Sequence, residues 1–124
     1  MNVMLVEDER IIALQFSHAL AASGCRVTVA HSGEAAVARL AENGPGELPD
    51  LLLMDILLGG EMDGIETAAV IRDRYAIPII YVTASTDPVT LRRADASGHD
   101  GLLTKPIDPD VLVETVRRRL TAPA

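Results

Sequence analysis

Short, fully apolar runs alternate along this chain with longer stretches in which apolar residues recur at helical spacing. Val3-Met4-Leu5-Val6 is one such run, and it stops at Glu7-Asp8. From Arg10 to Leu20, Ile12, Phe16, Ala19 and Leu20 fall on one helical face, and Ser23-Gly24 closes the helix. Arg26-Val27-Thr28-Val29 alternates as an edge strand does. Ser32 is placed to cap a second helix through Leu40, whose inward face carries Ala36, Val37 and Leu40. The stretch NGPGELP over 43–49 is a loop by composition. Leu51-Leu52-Leu53-Met54 is the most apolar run, and it ends on Asp55.

The second half repeats the pattern. Asp63 followed by Glu66 predicts a capping box and a helix through Arg74. Ile79-Ile80-Tyr81-Val82 reads as a strand ending on Thr83. Asp87-Pro88 and Asp108-Pro109 each put a capping carboxylate before a proline at the first helical position, opening helices of about ten residues. Between them Gly101-Leu102-Leu103-Thr104 is a short last strand that leads into Lys105-Pro106. Five strand–helix units, whose strands other than the edge-like 26–29 run lack alternation, predict an α/β fold, a doubly wound parallel five-stranded sheet covered on both faces.

Composition narrows what such a fold can be. With 124 residues, the chain has the length of one domain and can bury about two-thirds of its unfolded surface. The formal charge of −7 argues against nucleic acid or an anionic membrane as the main partner. Cys25 is the only cysteine, so no internal disulfide forms, and it reads as a small buried apolar residue. MNVMLVEDER is not a signal peptide, and no apolar run approaches the ~20 residues of a membrane span, so a cytoplasmic location is expected. Ten of the eleven basic residues are arginine, and Lys105 is the only lysine.

The chemistry lies in where the strands end. Strand one ends in Glu7-Asp8, strand three in Asp55, strand four in Thr83 and strand five in Lys105. In an open parallel sheet, ligands bind outside the carboxyl ends of the strands, where the winding reverses. If strands one and three are neighbours, three carboxylates converge there, and they repel unless a positive charge sits among them. Lys105 supplies one charge; a hard dication such as Mg2+, with Mn2+ as a substitute, suits the oxygen donors. The set is equipped for phosphoryl transfer onto Asp55, with Lys105 and the Thr83 hydroxyl on the phosphoryl oxygens. Taken singly, Glu7-Asp8 is an ordinary helix cap, Thr83 a strand residue and Lys105 a loop charge. Such groups on four strand ends of one sheet make coincidence the weaker account.

With LVEDE, LLLMDI, IIYVTAS and LLTKPI in this order, the sequence resembles a response-regulator receiver domain of two-component signalling over essentially residues 1–124. The resemblance implies a flavodoxin-like sheet of strand order 2-1-3-4-5 and a single-domain form with no output domain. It implies that Asp55 accepts phosphate from a sensor histidine kinase or a histidine phosphotransfer protein and thereby switches a surface that binds a further, unidentified protein. Self-catalysed phosphorylation and dephosphorylation then serve a switch rather than a metabolic enzyme. Asp8 would bind Mg2+ directly, with Glu7 nearby through water, Asp55 beside them, and the backbone carbonyl of Leu57 completing the site. Thr83 and the Ala84 N–H would bind the phosphoryl group, Lys105 would pair with it, and the Lys105-Pro106 peptide would be cis.

Three departures qualify the resemblance. Leu102 stands where the family has an aromatic residue that reports phosphorylation; Tyr81 is the nearest aromatic that could replace it, unless it is simply a core or partner-packing residue. The stretch DILLGGEMDG over 55–64 is one residue longer than the commonest form and lacks its proline, and Gly59-Gly60 suggests a mobile loop beside the metal. Nothing beyond Leu120 resembles an output domain. Leu57 and Ser85 flank the path of hydrolytic water in this family, and Leu57 can neither orient nor activate a water, so slow self-dephosphorylation is expected. Two other readings stay open: a receiver unit of a larger hybrid kinase or transcription regulator, and a small Mg2+-dependent phosphohydrolase or nucleotide-binding domain. The second is disfavoured by the absence of a glycine-rich phosphate loop after strand one. His18, His31 and His99 lack metal spacing, Arg117-Arg118-Arg119 reads as a solvated face, and Ile11 and Leu14 lie off the core face of helix one, available to a docking partner.

Overall fold

The computed structural model describes residues 1–44 and 46–121. Its elements run β1 (Asn2–Val6), α1 (Arg10–Ala22), β2 (Arg26–Ala30), α2 (Gly33–Glu42), β3 (Leu51–Asp55), α3 (Gly64–Arg74), β4 (Ile79–Thr83), α4 (Pro88–Ser97), β5 (Gly101–Thr104) and α5 (Pro109–Thr121). The strands form one parallel sheet in the order β2-β1-β3-β4-β5. This is the doubly wound, flavodoxin-like α/β arrangement expected.

Burial explains the absence of alternation. All residues of β3 and β4 are buried, because helices cover both faces of the sheet, whereas β2 and β5, at its edges, are only partly covered. Successive side chains feed opposite layers. Met4, Val6, Leu52, Met54, Ile79 and Tyr81 pack with Ala36, Leu40, Ala68, Ile71 and Ala94 of α2, α3 and α4. Val3, Leu5, Leu51, Leu53, Ile80 and Val82 pack with Ala13, Phe16, Leu20, Leu112 and Val116 of α1 and α5.

The caps fall where the sequence places them. Ser32 accepts the Ala35 N–H, Asp63 and Glu66 form a reciprocal capping box, and Asp87 accepts the Val89 N–H before the Pro88 turn. The Asp108 carboxylate accepts the Asp110 N–H. Glu7-Asp8 is not a helix cap: the N-cap of α1 is Glu9, and its side chain makes no capping bond. Two expectations need correction. Cys25 is only half-buried, because it packs at the rim of the α1–α5 layer beside the edge strand. Helix α5 spans 13 residues rather than about ten, since Val116 and Leu120 continue its inward face for another turn.

Two glycines permit the close packing that positions β3. A Cβ on Gly64 would lie 2.0 Å from the Asp55 carbonyl oxygen, and one on Gly33 would lie 2.0 Å from Thr67 Oγ1. The first contact seats the start of α3 directly on the end of β3. The second locks α2 against α3.

Candidate functional site

Parallel strands bring their carboxyl ends to one edge, and with β1 and β3 adjacent the order places the Glu7-Asp8 turn beside Asp55. Carboxylate oxygens of Glu7, Asp8 and Asp55 lie within 4.8 Å of one another. Glu7 and Asp55 are buried, 1% and 5% exposed, while Asp8 is the more open of the three. Lys105, delivered from the end of β5, reaches between the buried pair. Its Nζ donates to Glu7 Oε1 and, at 3.4 Å, to Asp55 Oδ2.

Backbone N–H groups hold each acid. The Glu9 N–H donates to Glu7 Oε2 at 3.3 Å, the Leu57 N–H to Asp55 Oδ1 at 3.2 Å, and the Gly59 N–H to Asp8 Oδ2 at 3.1 Å. Burial, followed by the hydrogen bond and the charge of Glu7, pushes the Asp55 carboxyl up to about 7 against the pull of Lys105 and the Leu57 N–H. Burial opposes the Lys105 ammonium, but the two carboxylates outweigh it and raise its pKa above the usual lysine value. One ammonium among three carboxylates leaves the cluster short of positive charge. Hard oxygen donors with a charge deficit fit a small divalent cation.

The other expected residues are disposed differently. Thr83 ends β4 fully buried, and its Oγ1 accepts the Ser85 N–H at 3.1 Å within its own turn. Ala84 is exposed and lines a groove of about 330 Å³ with Ile12, Phe16, Lys105, Pro106 and Ile107. The Lys105-Pro106 peptide is cis. Glu7 Oε1 accepts from the Lys105 ammonium. Leu57 leaves its side chain 51% exposed beside Asp55.

Sequence reasoning missed three supports. Glu34 accepts the N–H groups of Glu61 and Met62, at 3.0 and 2.9 Å. Gly59 holds Asp8, and His31 Nδ1 contacts the Glu7 carbonyl at 3.0 Å. In the 55–64 segment the N–H groups of Leu57, Gly59, Glu61 and Met62 donate to Asp55, Asp8 and Glu34.

A family model described as the response regulator receiver domain matches residues 3–117, including every residue of this cluster. The chain belongs to that family. This receiver is 34% identical over 119 residues to the DNA-binding response regulator MtrA of Mycobacterium tuberculosis, covering 96% of this chain and 50% of MtrA. It spans about half the length of the curated relatives it matches. Among solved structures it is similar to the signal receiver domain of a signal transduction histidine kinase from Syntrophus aciditrophicus, at 30% identity and a TM-score of 0.87, covering 97% of this chain and 89% of that one. It is also similar to the signal receiver domain of a modulated diguanylate cyclase from Desulfovibrio desulfuricans G20, at 38% identity and a TM-score of 0.83, covering 96% and 92% of the two chains.

In this receiver Leu102 is half-buried against the α2–α3–α4 layer. Tyr81 is fully buried in that layer; its hydroxyl lies 2.9 Å from Ser97 Oγ and its ring meets His99 edge-on at 5.6 Å. Tyr81 thus anchors the end of α4 as a core residue. Among the described residues, no helix is long and apolar enough to cross a membrane.

Proposed function

We propose that this receiver accepts a phosphoryl group on Asp55 from a phosphohistidine of a sensor kinase or phosphotransfer protein, and that the modified domain presents an altered protein-binding surface. The observation that carries the proposal is the convergence of Glu7, Asp8 and Asp55 around the lone lysine at one strand edge. In the step, an Asp55 carboxylate oxygen bonds to phosphorus, the phosphorus–nitrogen bond of the donor breaks, and the leaving imidazole takes a proton. The Leu57 N–H fixes Oδ1 of Asp55, leaving Oδ2 on the side of Lys105 as the attacking atom.

Glu7, Asp8 and Asp55, with the Leu57 carbonyl, are the residues that would hold Mg2+. Bound there, the ion would offset charge on the phosphoryl oxygens and on the carboxylates themselves. Lys105 would transfer its contact from Asp55 Oδ2 to a phosphoryl oxygen, and the Thr83 hydroxyl would exchange the Ser85 N–H for the same group. The Ala84 N–H would donate alongside it.

The test is incubation with Mg2+ and a small phosphodonor. We expect a base-labile acyl phosphate that Asp55→Asn abolishes, and beryllofluoride binding that is lost in the same variant. Phosphorylation that persists in Asp55→Asn, or catalytic turnover of an unrelated phosphate ester, would refute the proposal.

A further inference from the structure

Glu34 lies in the first turn of α2, on a different element from every acid of the site, yet it is built into the loop that frames them. One of its oxygens, Oε1, accepts two consecutive backbone N–H groups, those of Glu61 and Met62, at 3.0 and 2.9 Å. The loop curls closely around this carboxylate. Gly60 has a φ of +105°, and a Cβ there would come within 3.0 Å of Glu34 Oε2. The carboxylate's own base is fixed as well. Ser32 caps α2, and Gly33 packs closely on Thr67 of α3.

Between this anchor and β3 lie the two groups that touch the acids. Leu57 donates its N–H to Asp55, and Gly59 donates its N–H to Asp8 Oδ2. A segment held at both ends presents those groups in one arrangement; a segment released at 61–62 samples many. Partners that orient metal ligands without touching the metal commonly alter affinity by about 10- to 100-fold.

We propose that Glu34 is a positioning residue for the divalent-cation site: by clamping Glu61 and Met62 it holds the loop that orients Asp8 and Asp55. The inference rests on the reading of Glu7, Asp8 and Asp55 as a cation site. What Glu34 contributes is an acceptor oxygen with the reach to take both N–H groups. A glutamine at position 34 keeps an oxygen with two lone pairs at the same distance. An aspartate keeps the charge but is one methylene too short.

The test is a Mg2+ titration of the full chain followed at the Gly59, Glu61 and Met62 amides by NMR, with hydrogen exchange of the same amides. Glu34→Gln should stay within about twofold of the parent affinity, whereas Glu34→Ala and Glu34→Asp should bind about tenfold more weakly. In the latter two, the Glu61 and Met62 amides should also exchange faster. Gly60→Ala disturbs the clamp from the loop side and should weaken binding in the same direction, which keeps the proposal testable if Glu34→Ala fails to fold. Unchanged Mg2+ affinity in Glu34→Asp and Gly60→Ala would overturn it, even if urea stability in EDTA falls, since that is the mark of a merely structural contact. Affinity lost equally in Glu34→Gln and Glu34→Asp would overturn it too. A parent protein with no saturable Mg2+ response would instead remove the cation-site reading, and this inference with it.

Discussion

Replacing Asp55 with asparagine should stabilise the folded chain, and the gain should grow with pH. In the native state burial and Glu7 raise the Asp55 carboxyl from 3.8 to about 7. A carboxyl with a raised native pKa favours folding fully below its unfolded value, and the benefit disappears as pH climbs to the folded value. Between pH 4 and pH 7 the unfolded chain therefore ionises freely while the folded one resists, and wild type loses stability. The shift corresponds to an upper limit of about 4 kcal/mol. Asparagine forgoes the attraction of Lys105 and is an imperfect replacement, so a net gain of about 1–3 kcal/mol above pH 7 is expected. Urea unfolding of both proteins in EDTA, followed by circular dichroism at pH 4.5, 6 and 8, gives the difference directly, because groups common to the two cancel. Adding Mg2+ should raise wild-type stability by mass action and narrow the gap. A difference that is flat from pH 4.5 to 8, or a wild type more stable at pH 8, would refute the electrostatic account of this site.

Three further outcomes follow from the same geometry. Lys105→Met removes the cation between two buried carboxylates and should cost about 3–5 kcal/mol in urea at pH 8 without Mg2+; a change below about 1 kcal/mol would mean that the ammonium does not neutralise the pair. The isolated phosphoprotein should lose its phosphoryl group slowly, and Leu57→Asn should speed the loss, since the exposed apolar side chain beside Asp55 cannot direct a water; decay within seconds that ignores the substitution would contradict this. Gly64→Ala should cost at least about 3 kcal/mol, because the new Cβ would meet the Asp55 carbonyl at 2.0 Å and α3 must move off β3; a melting temperature close to the parent's would show that this contact relaxes freely.

The layers were legible in the sequence because burial and capping write themselves locally. Leu51–Met54 and Ile79–Val82 carry no alternation since helices cover both sides, and Asp63/Glu66 sets a helix start within four residues. The acids and the lysine were legible for a related reason. Each terminates a strand, and a parallel sheet delivers strand ends to one edge. What stayed hidden is long in sequence and short in space. Gly59 holds Asp8 across 51 positions, and Glu34 reaches Glu61 and Met62 across 27 and 28. In sequence Glu34 is only an acid in the first turn of a helix, and nothing local to Gly59-Gly60 points to Asp8 or Glu34. Tyr81 stood out as an aromatic near Thr83, but its partner Ser97, at the far end of α4, carries no local signal.

The solitary lysine also makes the site chemically addressable. Reagents that acylate or reductively methylate amines attack the uncharged form, and Lys105 is the one side-chain amine this sequence offers them. Lys105 is held protonated by its two carboxylates with 10% of its side chain exposed. Labelling of this side chain should therefore be slow. Its onset times the opening of the ion pair, so that a single amine keeps a record of the state of the site.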